Sequence, residues 1–199
     1  MATFLANVGV NCSHRVTSPL FEDGSFQLNP IPETVPWAPP MLKLPGVWGE
    51  RAVHLDPDLN SYTPTYGDNC RSAPRAFALR RAAAGDEIQF LARLTGADGD
   101  AGFFLVGRLV IEDAIEDVST DPGPGWWDSN AHMRRARATG LWNRFWVFKG
   151  GPGSGLYPRA VPFAKRHADR AFGRTWLWRP NRSELQTIGS YTRTIRRLP

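Results

Sequence analysis

The stretch GDEIQFLARLTGADGDAGFFLVGRLVI, residues 85–111, decides the fold class. Gly85 and Asp86 open it as a turn, and an apolar run follows from Ile88 to Leu94. The Gly/Asp-rich segment Gly96 to Gly102 reverses the chain, and a second run continues from Phe103 to Ile111. Two apolar runs about such a turn predict a β-hairpin, the second run being apolar enough for a core strand. A doubly wound α/β sheet is disfavoured, because strands do not alternate with helices of adequate length along the chain.

Upstream, residues 3–10 (TFLANVGV) predict a first strand, and Glu22-Asp23-Gly24 a turn before a short strand from Ser25 to Leu28. The proline-rich stretch 30–46 cannot be helical and predicts an extended loop wrapped around the sheet. Residues 54–70 read as a polar, aromatic loop. Residues 72–84 predict a helix with Ser72 as N-cap, Pro74 in the first turn, Phe77 and Leu79 on its apolar face, and Gly85 as its stop. Downstream, 112–125 reads as an acidic Gly/Pro-rich connection, 126–139 holds a short helix around Asn130 to Ala138, and RFWVFK at 144–149 is a strand. A glycine loop at 150–155 leads to Leu156–Phe163 and then to a basic segment with a helix at 182–188. The expected architecture is α+β: a mixed, mainly antiparallel curled sheet, or a PUA-like β-barrel, with short flanking helices. Residues 1–164 form the core domain and residues 165–199 a basic C-terminal extension packed on it. The hairpin resembles the central hairpin of PUA-like barrels (the EVE, ASCH and YTH group), small β-folds that hold one nucleotide in a pocket.

Composition narrows the class. With 199 residues, 42% apolar and 22% charged, the chain suits one globular domain. It contains no run of roughly 18–20 apolar residues and no basic n-region before an apolar stretch at its start. These features predict a cytoplasmic protein without membrane association. Cys12 and Cys70 are the two cysteines, too few for a cysteine-built structural zinc site. Eight Trp and eleven Phe are many, and some of these rings are expected at a surface or pocket. The formal charge is +5, yet residues 165–199 carry nine Lys/Arg against two Asp/Glu. Such asymmetry points to an anionic partner, nucleic acid above all, or to a solvated tail.

Five constellations stand out. Asn7, Asn11, Ser13, His14 and Arg15 crowd the end of the first strand, where binding groups commonly sit; their other reading is a turn whose side chains satisfy local backbone groups. His54, Asp56 and Asp58, with Asp68 beyond, have the types and spacing for acid–base work or a divalent metal, His14 or His132 completing the set. Trp126 and Trp127 precede Asn130, His132, Arg134 and Arg135, a mixture suited to stacking a base, reading its edge and binding phosphate; a packed Trp pair beside an amphipathic helix is the alternative. Lys149 and Ser154 flank a glycine turn able to present N–H groups and a cation to phosphate. Finally, Trp176, Trp178 and Tyr191 interleave with arginines in the tail. No phosphate-binding P-loop, EF-hand or H-E-x-x-H motif is present.

Taken together, NVGVNCSHRVTSPLFEDGSF and PIPE (7–33), HLDPDL and TYGD (54–68), GDEIQFLARL with the second hairpin strand (85–111), NAHMRR (130–135), FKGGPGSGLYPRAVPF (148–163) and ELQTIGSYTRTIR (184–196) resemble the nucleotide modification associated domain family, type three. The resemblance implies a place in bacterial or phage systems that modify or process DNA bases. It also implies one pocket shared by Asn7, Asn11, His14, Asp56, Asp68, His132, Arg134 and Lys149. Three functions follow as expectations. The first is recognition of a nucleotide or modified base in DNA through Asn7, Asn11, Ser13, Asp68, Trp126, Trp127, Asn130, Arg134, Arg135, Lys149 and Ser154. The second is an enzyme acting on modified nucleotides or DNA, with His14 or His132 as general base and Asp56 orienting it or holding a divalent metal. The third is a protein adaptor. No cofactor is expected, a divalent metal is compatible, and oligomeric state is open.

Overall fold

The computed structural model describes residues 1–8, 17–33, 52–173 and 176–199. The predicted hairpin is there. Strand β6 (Glu87–Thr95) pairs antiparallel with β7 (Ala101–Val118). β7 runs eighteen residues, so the segment expected as an acidic connection after Ile111 continues as strand to Val118. Its alternating polar positions keep one face wet while Ile111 and Val118 are buried. The first half of β7 also pairs with β9 (Gly155–Pro162), and the second half with β8 (Phe145–Gly150).

Around this spine the sheet runs in the order β10 (Arg196–Arg197), β1 (Thr3–Asn7), β6, β7, β8, β5 (Thr65–Asp68). β2 (Ser18–Pro19) adds to β6, and a separate two-stranded sheet joins β3 (Ile31–Pro32) to β4 (Val53–His54). Among the described residues only the β1–β6 and β2–β6 pairings are parallel. The sheet is therefore mixed and mainly antiparallel, and the fold is α+β. It curls strongly: the Tyr66 ring on β5 meets the Phe90 ring on β6 at 5.1 Å, although β7 and β8 lie between them in the ladder. Curling does not become closure. β10 and β5 remain edges, and no barrel forms among the described residues.

The concave face encloses the main core, including Phe4, Tyr66, Ile88, Phe90, Leu109 and Phe148. The 3-10 helix Pro74–Arg81 covers one end with Ala76 and Leu79. It is tighter than the expected α-helix and lacks a side-chain cap: Ala73 holds the cap position, while Ser72 Oγ donates to Asn143 O at 3.3 Å. Phe77, expected to be apolar core, lies half outside under the Arg80 guanidinium at 4.5 Å.

The opposite face of β1, β6 and β7 carries a second core, where Leu5, Leu91 and Phe103 meet α2 (Lys165–Phe172) and α3 (Glu184–Tyr191). The helix at 165–172 is not predicted by the sequence. Trp176 and Trp178 both donate their indole N–H to Asp169 Oδ1, at 2.8 and 2.6 Å. Trp176 is buried and Trp178 packs beside it, so these rings are core and not the stacking platforms their sequence pattern suggests. A third cluster sits beneath α1 (Ala131–Thr139), where Met133 and Ala136 pack on Phe145, Val147 and Val118. None of the helices among the described residues is long and apolar enough to cross a membrane.

Phe90 is fully buried where the two ends of the curled sheet meet. Phe90→Ala is expected to lower unfolding free energy by about 3–5 kcal/mol, read from urea denaturation at neutral pH.

Candidate functional site

Strand alternation on β5 sorts its four residues into two sets. Tyr66 and Asp68 point into the core, and Thr65 and Gly67 point to the outer face, where α1 begins. Asn130 is the N-cap of α1 and accepts from His132 N at 2.9 Å. Its amide also donates to Thr65 Oγ1 at 3.1 Å, tying the helix start to the strand. This seats the His132 ring directly over Gly67. A Cβ at Gly67 would stand 2.7 Å from His132 Cδ2 and 2.9 Å from Asn130 Oδ1, so only glycine fits there.

The loop between β4 and β5 returns Asp56 to the same place. Its Oδ1 accepts from Gly67 N at 3.0 Å, and its Oδ2 lies 3.2 Å from His132 Nε2. Both side chains are largely buried, 6% exposed for Asp56 and 13% for His132. In the tautomer that carries its proton on Nε2, the ring donates to Oδ2 and Nδ1 is the acceptor nitrogen. Asp58 closes the same loop through paired backbone bonds with Thr65, at 3.0 and 2.9 Å.

A second carboxylate–imidazole pair faces the first. β3 and β4 pair Ile31 with His54, and Glu33 N donates to Ala52 O at 2.8 Å. Glu33 Oε1 then lies 3.0 Å from His54 Nδ1, both side chains 12% exposed. The contact has ion-pair distance but not hydrogen-bond alignment, and His54 Nδ1 is otherwise buried without a partner among the described residues. Burial pushes the Glu33 carboxyl up, but His54, Arg135 and His132 together outweigh it and hold Glu33 below its ordinary value. The His54 and His132 rings stand 6.3 Å apart, edge to face, and Phe145 lies 5.6 Å from His132. Among the described residues no three His, Cys, Asp or Glu side chains converge as metal ligands.

Of the residues singled out in the sequence, His54, Asp56, Asn130 and His132 come together here, with Arg135 acting electrostatically on Glu33. Arg134 and Arg135 are half-buried on the same helix. Asn11, Ser13 and His14 lie outside the described residues. Asn7 does not join the cluster: it faces α3 and donates to Thr192 Oγ1 at 3.0 Å. Asp68 faces inward, accepting from Tyr66 OH at 2.8 Å, Arg75 Nη2 at 2.7 Å and Asn69 N at 2.8 Å. Burial first, then the charge of Asp68, pushes the Tyr66 hydroxyl and the Cys70 thiol well above their usual ranges. Trp126 and Trp127 are half-buried against the α1 cluster, with their N–H groups on Asp113 Oδ2 and Gly123 O, each at 3.0 Å. Lys149 pairs with Glu112 at 3.0 Å. Ser154 Oγ accepts from Val110 N at 2.9 Å and serves the β8–β9 turn. Glu33 escapes a reading of the sequence as a site residue because its partner His54 is distant along the chain and reached through a β-pairing; only its place two residues after β3 begins, across from His54, connects them.

The chain is thus an α+β domain whose curled sheet and small β3–β4 sheet bring two carboxylate–imidazole pairs face to face beneath a helix start. The chain belongs to the nucleotide modification associated domain 3 family, whose model matches residues 3–197. That family is associated with nucleotide modification systems, consistent with a general role there. No curated protein and no solved structure gives a match to the chain.

Two outcomes test this geometry. Gly67→Ala is expected to cost about 1–3 kcal/mol, the usual range for overpacking. It should also move the His132 imidazole resonances in carbon–proton NMR while leaving those of His167 in place. Because the folded Glu33 carboxyl is depressed, its stabilisation is present above the ordinary value of 4.5 and is lost as pH falls through the folded value. Glu33→Gln should therefore be less stable than the parent at neutral pH, with the deficit closing at acidic pH in urea titrations.

Proposed function

We propose that the chain binds a nucleotide or nucleobase of a DNA-modification system at Glu33, His54, Asp56 and His132, and performs an acid–base step on it. The observation that carries this reading is the facing of two imidazoles, each backed by a carboxylate, at 6.3 Å. In such an arrangement one imidazole takes a proton from an attacking group while the other delivers one to a leaving group. Asp56 fixes the tautomer and orientation of His132, and Glu33 compensates a proton held on His54. Arg134 and Arg135, on the next residues of α1, supply cationic forks for a substrate phosphate. A substrate base presented from DNA would need extrusion, at a cost of a few kcal/mol that a damaged or modified base lowers.

Recognition without turnover is the second reading. It is favoured by the Trp126–Trp127 pair, edge to face at 5.3 Å and half-exposed ahead of the α1 arginines, which offers aromatic surface to a base.

The test incubates the protein with nucleotides and with oligonucleotides carrying or lacking modified bases, with and without divalent metal, and follows products by mass spectrometry. The acid–base reading expects a product, and a fall in turnover of roughly 10²–10⁴-fold in His132→Ala and Asp56→Asn at unchanged melting temperature. Binding that persists in Asp56→Asn with no product from any substrate would instead establish the recognition reading.

A further inference from the structure

A second functional feature lies on the other side of the same ladder. Along β8, Phe145 and Val147 pack under α1, whereas Trp146 and Phe148 turn to the opposite face. Beside Trp146 opens a cleft of ≈ 580 Å³ walled by Arg71, Arg80, Arg81, Arg197 and Phe77. These arginines come from three separate places: the end of the β5 turn, the 3-10 helix, and the edge strand β10. Among the described residues no carboxylate side chain lines the cleft. Arg71, Arg81 and Arg197 are exposed and have no ion-pair partner among the described residues. Nearby, Arg75 is already committed to Asp68.

A second cleft, ≈ 780 Å³, adjoins the first and shares Ala78 and Arg197 with it. It continues along Tyr191, Ile195 and Arg196, and no acidic side chain lines it. The two together form one groove with arginines at intervals along it. Two of these are pre-set over aromatic rings. The Arg80 guanidinium lies 4.5 Å from the Phe77 ring centroid, and that of Arg196 lies 4.2 Å from the Tyr191 centroid, with Arg196 Nε donating to Tyr191 O at 3.1 Å. Holding like charges together costs the free protein repulsion, which a polyanion relieves.

We infer that this groove, from Arg71 through Arg197 to Arg196, binds the phosphate backbone of a single nucleic-acid strand. A free phosphate or mononucleotide would occupy one cleft, whereas the continuity through Arg197 suits successive phosphates of a polymer. The exposed Phe77 ring beside Arg80 offers surface to an unpaired base, which a duplex keeps stacked. The groove uses none of Glu33, His54, Asp56 or His132, so its binding stands or falls independently of the acid–base reading.

The test measures fluorescence anisotropy of a labelled single-stranded oligonucleotide, about a dozen nucleotides long, across a salt series. The parent protein should bind with a log–log salt slope, and the combined variant Arg71→Gln, Arg81→Gln, Arg197→Gln should bind at least tenfold more weakly at low salt. Its slope should shrink by about 2, at about 0.7 for each phosphate that is no longer neutralised. The matching triple Lys variant, which keeps the charges, should retain most of the slope, separating charge from damage to the fold. Unchanged affinity and slope in the Gln variant would overturn the inference. So would displacement of the strand by a mononucleotide at an equal concentration of phosphate, which would make the groove a single-phosphate site.

Discussion

Strand β7 is the element on which the rest of the molecule depends. Its eighteen residues present backbone N–H and C=O groups on both sides, and those groups need partners wherever water is excluded. The first half meets this demand with β6 on one side and β9 on the other. β9 approaches so closely at Gly107 that a Cβ there would lie 2.6 Å from Gly155 O. The second half takes β8, with register shifts after Ile111 and Ile115 that increase the twist. By handing its second half to a different partner, β7 turns the sheet around its own core. The consequence is the contact of Tyr66 with Phe90, and with it the position of β5.

The Asp56–His132 half of the candidate site is placed from that edge. β8 holds β5, β5 offers Gly67 and Thr65 outward, and α1 docks by Asn130 onto Thr65 while Met133 and Ala136 pack on Phe145 and Val147. The helix start thus cannot shift without breaking either an amide–hydroxyl bond or a hydrophobic cluster. Gly67 then sets the closest approach of His132, and its N–H draws in Asp56 from the preceding loop. Glu33 and His54 arrive by a separate two-stranded sheet, so the two carboxylate–imidazole pairs are positioned by independent elements.

Much of this is legible in the sequence where a local rule governs. The hairpin at 85–111 follows from apolar runs about a Gly/Asp turn, and α1 from Asn130 as N-cap with Gly140 as its left-handed stop. The pairing of Asp56 with His132 is legible as chemistry, though not as geometry. What is not legible is governed by contacts distant along the chain. Residues 112–118 look like a polar connection because one face of that strand meets water. The helix at 165–172 has an apolar face completed by residues distant from it, Leu5, Leu91 and Phe103 of the sheet and Ile188 of α3 among them. The tail tryptophans look like stacking surfaces until Asp169 supplies their N–H partners. Asp68 looks like a binding residue because TYGD is polar, whereas its parity on β5 turns it inward.

Asp56 and Asp68 show how two buried carboxylates come to differ in the partners they hold. Both are buried, and they sit on either side of the same strand. Asp68 accepts from a tyrosine hydroxyl, a guanidinium and a backbone N–H, groups that keep their protons throughout the ordinary pH range. Its network stabilises a fixed charge and a fixed shape. Asp56 accepts from one backbone N–H and from an imidazole, the side chain that most readily exchanges a proton near neutrality. The difference in role arises from the partner, and the partner is decided by which way alternate residues of β5 point.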